Sequence, residues 1–185
     1  MATTPQNHRC PLRLQGFDYS QNGAYFVTIV TQGRRCLFGE VVNGEMVLND
    51  AGGMVENTII EIPDHYPGII VEAHVVMPNH IHVMIMIEYP VRAGPRACPG
   101  QDGHPQGGAP TTKRLSLPDV VHDLKSLTTH RYMDGVHEKQ WQPFPGRLWQ
   151  RNYYEHIISD EKDHLAIYDY IISNPLNWER DEEYC

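Results

Sequence analysis

The run Val75-Val76-Met77-Pro78-Asn79-His80-Ile81-His82-Val83-Met84-Ile85-Met86-Ile87 constrains the fold more than any other stretch of the chain. It is apolar apart from one punctuated turn and two histidines. Proline fixes φ and gives up its amide donor, and asparagine tolerates turn geometry, so Pro78-Asn79 reads as a tight connection between two strands. Side chains alternate along a strand with a period of two, which puts His80 and His82 on one face and sends Ile81 into the core behind them. Two imidazoles on one face can converge on one cation or one phosphate. A His-x-His in a strand also occurs as two polar residues on a solvated surface, and the pair alone leaves that reading open.

A chain of 185 residues suffices for one domain with a real core and is short for two. Hydrophobic content of 41% and charged content of 21% are those of a soluble globular protein. No apolar run approaches the ~20 residues that cross a bilayer, and residues 1–9 lack the apolar core of a signal peptide, so the expected location is the cytoplasm. Cys10, Cys36, Cys98 and Cys185 lie far apart with no Cys-x-x-Cys pair. That spacing argues against a zinc knuckle or a disulfide framework and predicts free thiols.

The net charge of −8 argues against a protein that coats nucleic acid without specificity, because such binding is driven by phosphate neutralisation. The charge is uneven, however. Arg92, Arg96, Lys113, Arg114, Lys125, Arg131, Lys139, Arg147 and Arg151 all fall between residues 92 and 151, and much of the acid lies from Asp160 onward.

Taken in order, residues 25–31 are β-branched and aromatic and form the first strand. Asn43-Gly44 centres a two-stranded flap over 39–48. Asn49 or Asp50 caps a helix over about 51–62, which Pro63 and Pro67 end. A strand over 68–77 alternates Ile70, Glu72, His74 and Val76 on one side with Ile69, Val71, Ala73 and Val75 on the other, and the histidine strand follows. Residues 90–112 are rich in Pro and Gly without periodicity, and they read as a mobile loop within a single domain spanning 1–185. A second helix runs over 115–133, with Ser116 as cap, Pro118 in its first turn and a stripe of Val120, Val121, Leu124 and Leu127. Residues 148–158 read as extended. A last helix starts near Asp160 and ends before Pro175, burying Leu165, Tyr168, Ile171 and Ile172.

On that helix Tyr170 and Asn174 are four apart and share a face. A phenol and an amide oxygen set beside two imidazoles supply a nucleophile and a third ligand for a hard divalent cation. Two His and one carbonyl oxygen leave positions open for phosphate oxygens, so the reaction class suggested is phosphoryl transfer through a tyrosine ester. Tyr168, half a turn away, reads as core, whereas Tyr153 and Tyr154 stay open as alternative nucleophiles. Lys125, Thr128, Arg131, Arg151 and His156 are candidate DNA contacts, each with a solvated or structural role as its alternative.

Four blocks occur in order: Met77-Pro78-Asn79-His80-Ile81-His82, Leu124-Lys125-Ser126-Leu127-Thr128-Thr129, Trp149-Gln150-Arg151-Asn152-Tyr153-Tyr154-Glu155-His156 and Tyr170-Ile171-Ile172-Ser173-Asn174-Pro175. Together they resemble the single-tyrosine HUH transposase superfamily, and within it the REP-associated tyrosine transposase (IS200-like) group. The resemblance implies an α+β, ferredoxin-like sandwich with a central antiparallel sheet, helices packed on it and the HUH motif on a central strand. It implies Mg²⁺ or Mn²⁺ on His80, His82 and Asn174. It further implies attack by Tyr170 on single-stranded DNA at hairpin-flanked sites, leaving a 5′-phosphotyrosine and a free 3′-hydroxyl that can rejoin strands. The partners expected are palindromic single-stranded hairpins, with the protein a monomer or homodimer. A second class of reading is a catalytically silent, domesticated protein that binds structured repeat DNA, and a third is a hydrolase of another phosphodiester.

Overall fold

The structure is a computed structural model that describes residues 18–89, 115–181 and 183. The loop expected at 90–112 lies outside the described residues. Strand β1 (Gly23–Val30) opens the described chain, and β2 (Gly39–Val42) with β3 (Glu45–Leu48) forms the separate flap. Asn43 and Gly44 both have positive φ, 53° and 80°, the geometry an Asn-Gly hairpin turn demands. Helix α1 (Asp50–His65), strands β4 (Ile69–Val76) and β5 (His80–Ile87), helix α2 (Leu117–Glu138), strand β6 (Tyr154–Ile158) and helix α3 (Glu161–Ser173) complete the domain.

The main sheet has the order β4-β5-β1-β6, and every adjacent pair is antiparallel. With α1 between β1 and β4, and α2 between β5 and β6, this is the β-α-β-β-α-β ferredoxin-like arrangement. The histidine strand β5 sits between β4 and β1, in the interior of the sheet.

Alternation along β5 divides the apolar residues into two cores. Ile81, Val83, Ile85 and Ile87 join Val27 and Ile29 beneath α1 and α2, together with Val55, Ile59, Val120 and Leu124. On the opposite face Met84 packs with Phe26, Ala73 and Ile171 beneath α3. His80 and His82 share that second face, as their spacing predicts.

Several boundaries differ from the sequence reading. Asn49 does cap α1, accepting from the Gly52 amide at 2.9 Å, but the helix continues through Pro63 to His65. A proline in the last turn removes one amide donor, and the Tyr66 amide still reaches the Ile62 carbonyl. The uniform alternation expected in β4 is broken by a register shift between Val71 and Ala73. Glu72 is the surplus residue, so Ile69 and Val71 face the two-helix core while Ala73 and Val75 face α3. Ser116 and Asp119 form a capping box on α2, which runs one turn beyond its expected end. The extended stretch 148–158 is a strand only from Tyr154, preceded by an isolated bridge between Thr31 and Trp149.

Helix α3 shows the largest correction. Asp160 caps it as an acidic start suggests, but Ile171 is its buried residue, with Ile167 packed beside it. Leu165, Tyr168 and Ile172 are exposed, Tyr168 by 40%, so Tyr168 is not a core residue. Cys36 takes part in a disulfide, which corrects the expectation of four free thiols; its partner lies outside the described residues. No helix among the described residues is long and apolar enough to cross a membrane.

Candidate metal and nucleophile centre

The turn between β4 and β5 is fixed from three sides. The amides of Leu37 and Phe38 donate to the Pro78 carbonyl, and the Thr31 amide donates to the Asn79 carbonyl. Asn79 is wholly buried. Its Nδ2 donates to the carbonyls of Arg34 and Glu183, at 3.2 and 2.6 Å, and this leaves Oδ1 facing His80 Nδ1 at 2.9 Å. An amide oxygen only accepts, so His80 Nδ1 carries the proton and Nε2 is a bare lone pair.

That lone pair points at His82 Nε2, 2.9 Å away, while His82 Nδ1 meets the Thr28 hydroxyl at 2.8 Å. The Phe26 ring stacks on His82 with centroids 5.2 Å apart. Burial is the main force lowering both imidazoles: His80 is pushed down to about 4 against an opposing pull from Asp181, and His82 is held well below its usual value, further depressed by His80. Both are neutral at pH 7, the form in which imidazole ligates.

Helix α3 places Tyr170 over the pair. Its hydroxyl lies 3.4 Å from His82 Nε2, its ring meets His82 at 5.1 Å and Phe26 at 5.9 Å, and the side chain stays 44% exposed. Asn174, one turn on, is buried. Its Nδ2 donates to Asp181 Oδ2 at 3.1 Å, and its Oδ1 has no hydrogen-bond partner among the described residues.

Asp181 went unnoticed in the sequence because it sits in an acidic tail with no periodicity around it. It nevertheless completes a cluster in which His80, His82 and Asp181 each offer a ligand atom, all within 4.8 Å of one another. Two imidazoles, a carboxylate and an orphaned amide oxygen fit a divalent cation. An unpaired buried acceptor costs roughly 1–3 kcal/mol, which a cation at Asn174 Oδ1 would relieve. The cluster opens into a cleft of about 650 Å³ lined by Phe26, Thr28, Tyr154, His156, Ile167 and Tyr170, among others.

The other candidate residues divide. His156 lines this cleft, with Nε2 2.9 Å from Asp163 Oδ2. Arg151 is exposed. Lys125 donates to the carbonyls of Gln150, Arg151 and Asn152 at 3.0 to 3.3 Å and lies 5.3 Å over the Tyr153 ring. Thr128 is wholly buried, donates to the Leu124 carbonyl and accepts from Trp149 Nε1, and is out of reach of any strand. Arg131 bonds Thr58 Oγ1 and pairs with Glu61, tying α2 to α1. These three hold the fold together on elements packed against the far face of the sheet.

No family model matches the chain. It is 38% identical over 181 residues to an uncharacterized protein of Haemophilus influenzae, covering 96% of this chain and 94% of the relative. It is 24% identical over 159 residues to a Haemophilus influenzae protein named as a REP-associated tyrosine transposase, covering 86% and 73%. Among solved structures, a REP-associated tyrosine transposase bound to a REP hairpin superposes with a TM-score of 0.56 at 20% identity, over 89% of this chain and 73% of that one. The chain shares the fold of that transposase. Within this fold, β5 and α3 bring the histidine pair and Tyr170 together although 88 residues separate His82 from Tyr170.

Proposed function

We propose that the protein is a metal-dependent single-stranded DNA nicking and joining enzyme acting at hairpin-flanked sites. The observation that carries this reading is the Tyr170 hydroxyl set 3.4 Å from His82 Nε2 in a cleft open to solvent. His80 and His82, with Asp181 and the Asn174 oxygen, would hold the cation. Two nitrogen donors favour Mn²⁺ over Mg²⁺, which keeps to oxygen ligands. When bound, such a cation polarises a phosphate oxygen.

Tyr170 is the nucleophile. Its oxygen forms a bond to phosphorus, the bond from phosphorus to the 3′-oxygen breaks, and that oxygen leaves as a 3′-hydroxyl after taking up a proton. Asp181 Oδ2, 3.4 Å from the phenol, is placed to accept the phenolic proton. Attack by the hydroxyl on the tyrosine ester reverses the step and rejoins strands without an external energy source. The substrate class is palindromic hairpin DNA, a reading supported by the REP hairpin in the complex of the structurally similar transposase, met in the cytoplasm by a monomer or a homodimer.

Incubation with a hairpin oligonucleotide and Mn²⁺ should give a covalent protein adduct on the 5′ product. Tyr170→Phe should abolish it, and an undiminished adduct in that variant would falsify the nucleophile assignment. A second reading, a protein that binds repeat DNA without cutting, is favoured by Asp163 and Asp181, whose carboxylates line the cleft and oppose an incoming phosphate when no cation is bound. Specific hairpin binding with no adduct under any divalent metal would establish it.

A further inference from the structure

We infer that Tyr154 is a stacking platform for an unpaired nucleobase beside the scissile phosphate, a role that rests on the strand-cutting reading above. Thr28 pairs with His82 on one side and with Tyr154 on the other, so the three form a row across β5, β1 and β6 on one face of the sheet. Strands lie ~4.8 Å apart, which sets Tyr154 about 10 Å from His82 along this row, at the distance of a neighbouring nucleotide.

The side chain has the properties of a platform. It stands on an edge strand and is 53% exposed, and it is braced edge-on by Phe26 at 6.3 Å, the same ring that braces Tyr170. Its hydroxyl makes no hydrogen bond among the described residues. A tyrosine kept for packing would be buried or would have its hydroxyl anchored, and this one has neither. Ile167 and Phe26 give the cleft an apolar floor, and His156 with Asp163 gives it a polar rim.

Charge decides which part of the strand enters. Asp163 and Asp181 line the cleft; a cation held beside Asp181 would take the scissile phosphate, whereas Asp163, bonded to His156 on β6, disfavours a second phosphate beside Tyr154 and leaves that place to the neutral face of a base. Stacking of a base on an aromatic side chain is sequence-tolerant, and its loss weakens single-strand binding by about tenfold.

The test uses hairpin oligonucleotides carrying one abasic nucleotide at each position around the cut, with binding read by fluorescence anisotropy in the Tyr170→Phe background. One abasic position should weaken binding about tenfold. Tyr154→Ala should show the same loss on intact DNA and no further loss at that position, while Tyr154→Phe should bind like the parent. If Tyr154→Ala binds intact DNA within twofold of the parent, or still pays the abasic penalty, the platform is overturned. The two readings fail separately: a wild-type adduct with an indifferent Tyr154→Ala sinks the platform alone, and the predicted binding pattern with no wild-type adduct sinks cleavage alone.

Discussion

Asn79 Oδ1 faces His80 Nδ1 at 2.9 Å, and this contact determines which nitrogen of His80 is left to bind. The amide cannot rotate, because its Nδ2 is committed to two backbone carbonyls. Asn79→Ala should therefore lower Mn²⁺ affinity by about 10–100-fold, the usual effect of removing a group that orients a ligand. Calorimetric titration of the metal checks this, with circular dichroism confirming that the sheet has formed.

Protonation sets the pH response of the metal-free protein. His80 is depressed to about 4 by burial, below its unfolded value of 6.5, so between those values the unfolded chain binds more protons. Stability from this group is fully present above pH 6.5 and is lost as pH falls toward 4. Urea midpoints should thus be steady from pH 8 to 7 and fall through pH 5. In His80→Gln the fall should be shallower.

Arg131 and Arg151 should separate cleanly. Arg131→Ala removes a hydrogen bond to Thr58 and an exposed ion pair with Glu61, costing about 1 kcal/mol of stability and leaving the salt dependence of DNA binding unchanged. Arg151→Ala should leave stability alone and reduce the slope of log affinity against log salt by about one phosphate's worth. Equal slopes for the two variants would remove Arg151 from the DNA surface.

Gly52 sits in the first turn of α1, where an added Cβ would collide with the Phe38 carbonyl oxygen. Gly52→Ala should destabilise the fold by about 1–3 kcal/mol despite the better helix propensity of alanine, as thermal unfolding would show.

What could be read from the residues followed physical period. The apolar run with Pro78-Asn79 located the central hairpin, period two placed both histidines on one face, and Asn43-Gly44 specified a turn whose φ values the structure reproduces. Spacing on α3 put Tyr170 and Asn174 on one side of the helix, though not which apolar residues would lie beneath it. Leu165, Tyr168, Ile171 and Ile172 make an acceptable amphipathic stripe; of these the sheet takes Ile171 alone, with Ile167 beside it, a rotation that carries Tyr170 over His82. Lys125, Thr128 and Arg131 looked like phosphate donors since donor chemistry is the same whether the acceptor is a phosphate or a backbone carbonyl. Asp181 had no local pattern to announce it, and its partners are His80, Asn174 and Tyr170.

The irregularity in β4 has one more effect. Without Glu72 the strand would still present Val71 to one core and Ala73 to the other, so the surplus residue is not needed for packing. The Glu72 carboxylate reaches His164 on α3 at 2.8 Å. One residue of slack in the ladder thus becomes a mooring for the first turns of the helix that carries Tyr170, a second attachment beside the packing of Ile167 and Ile171.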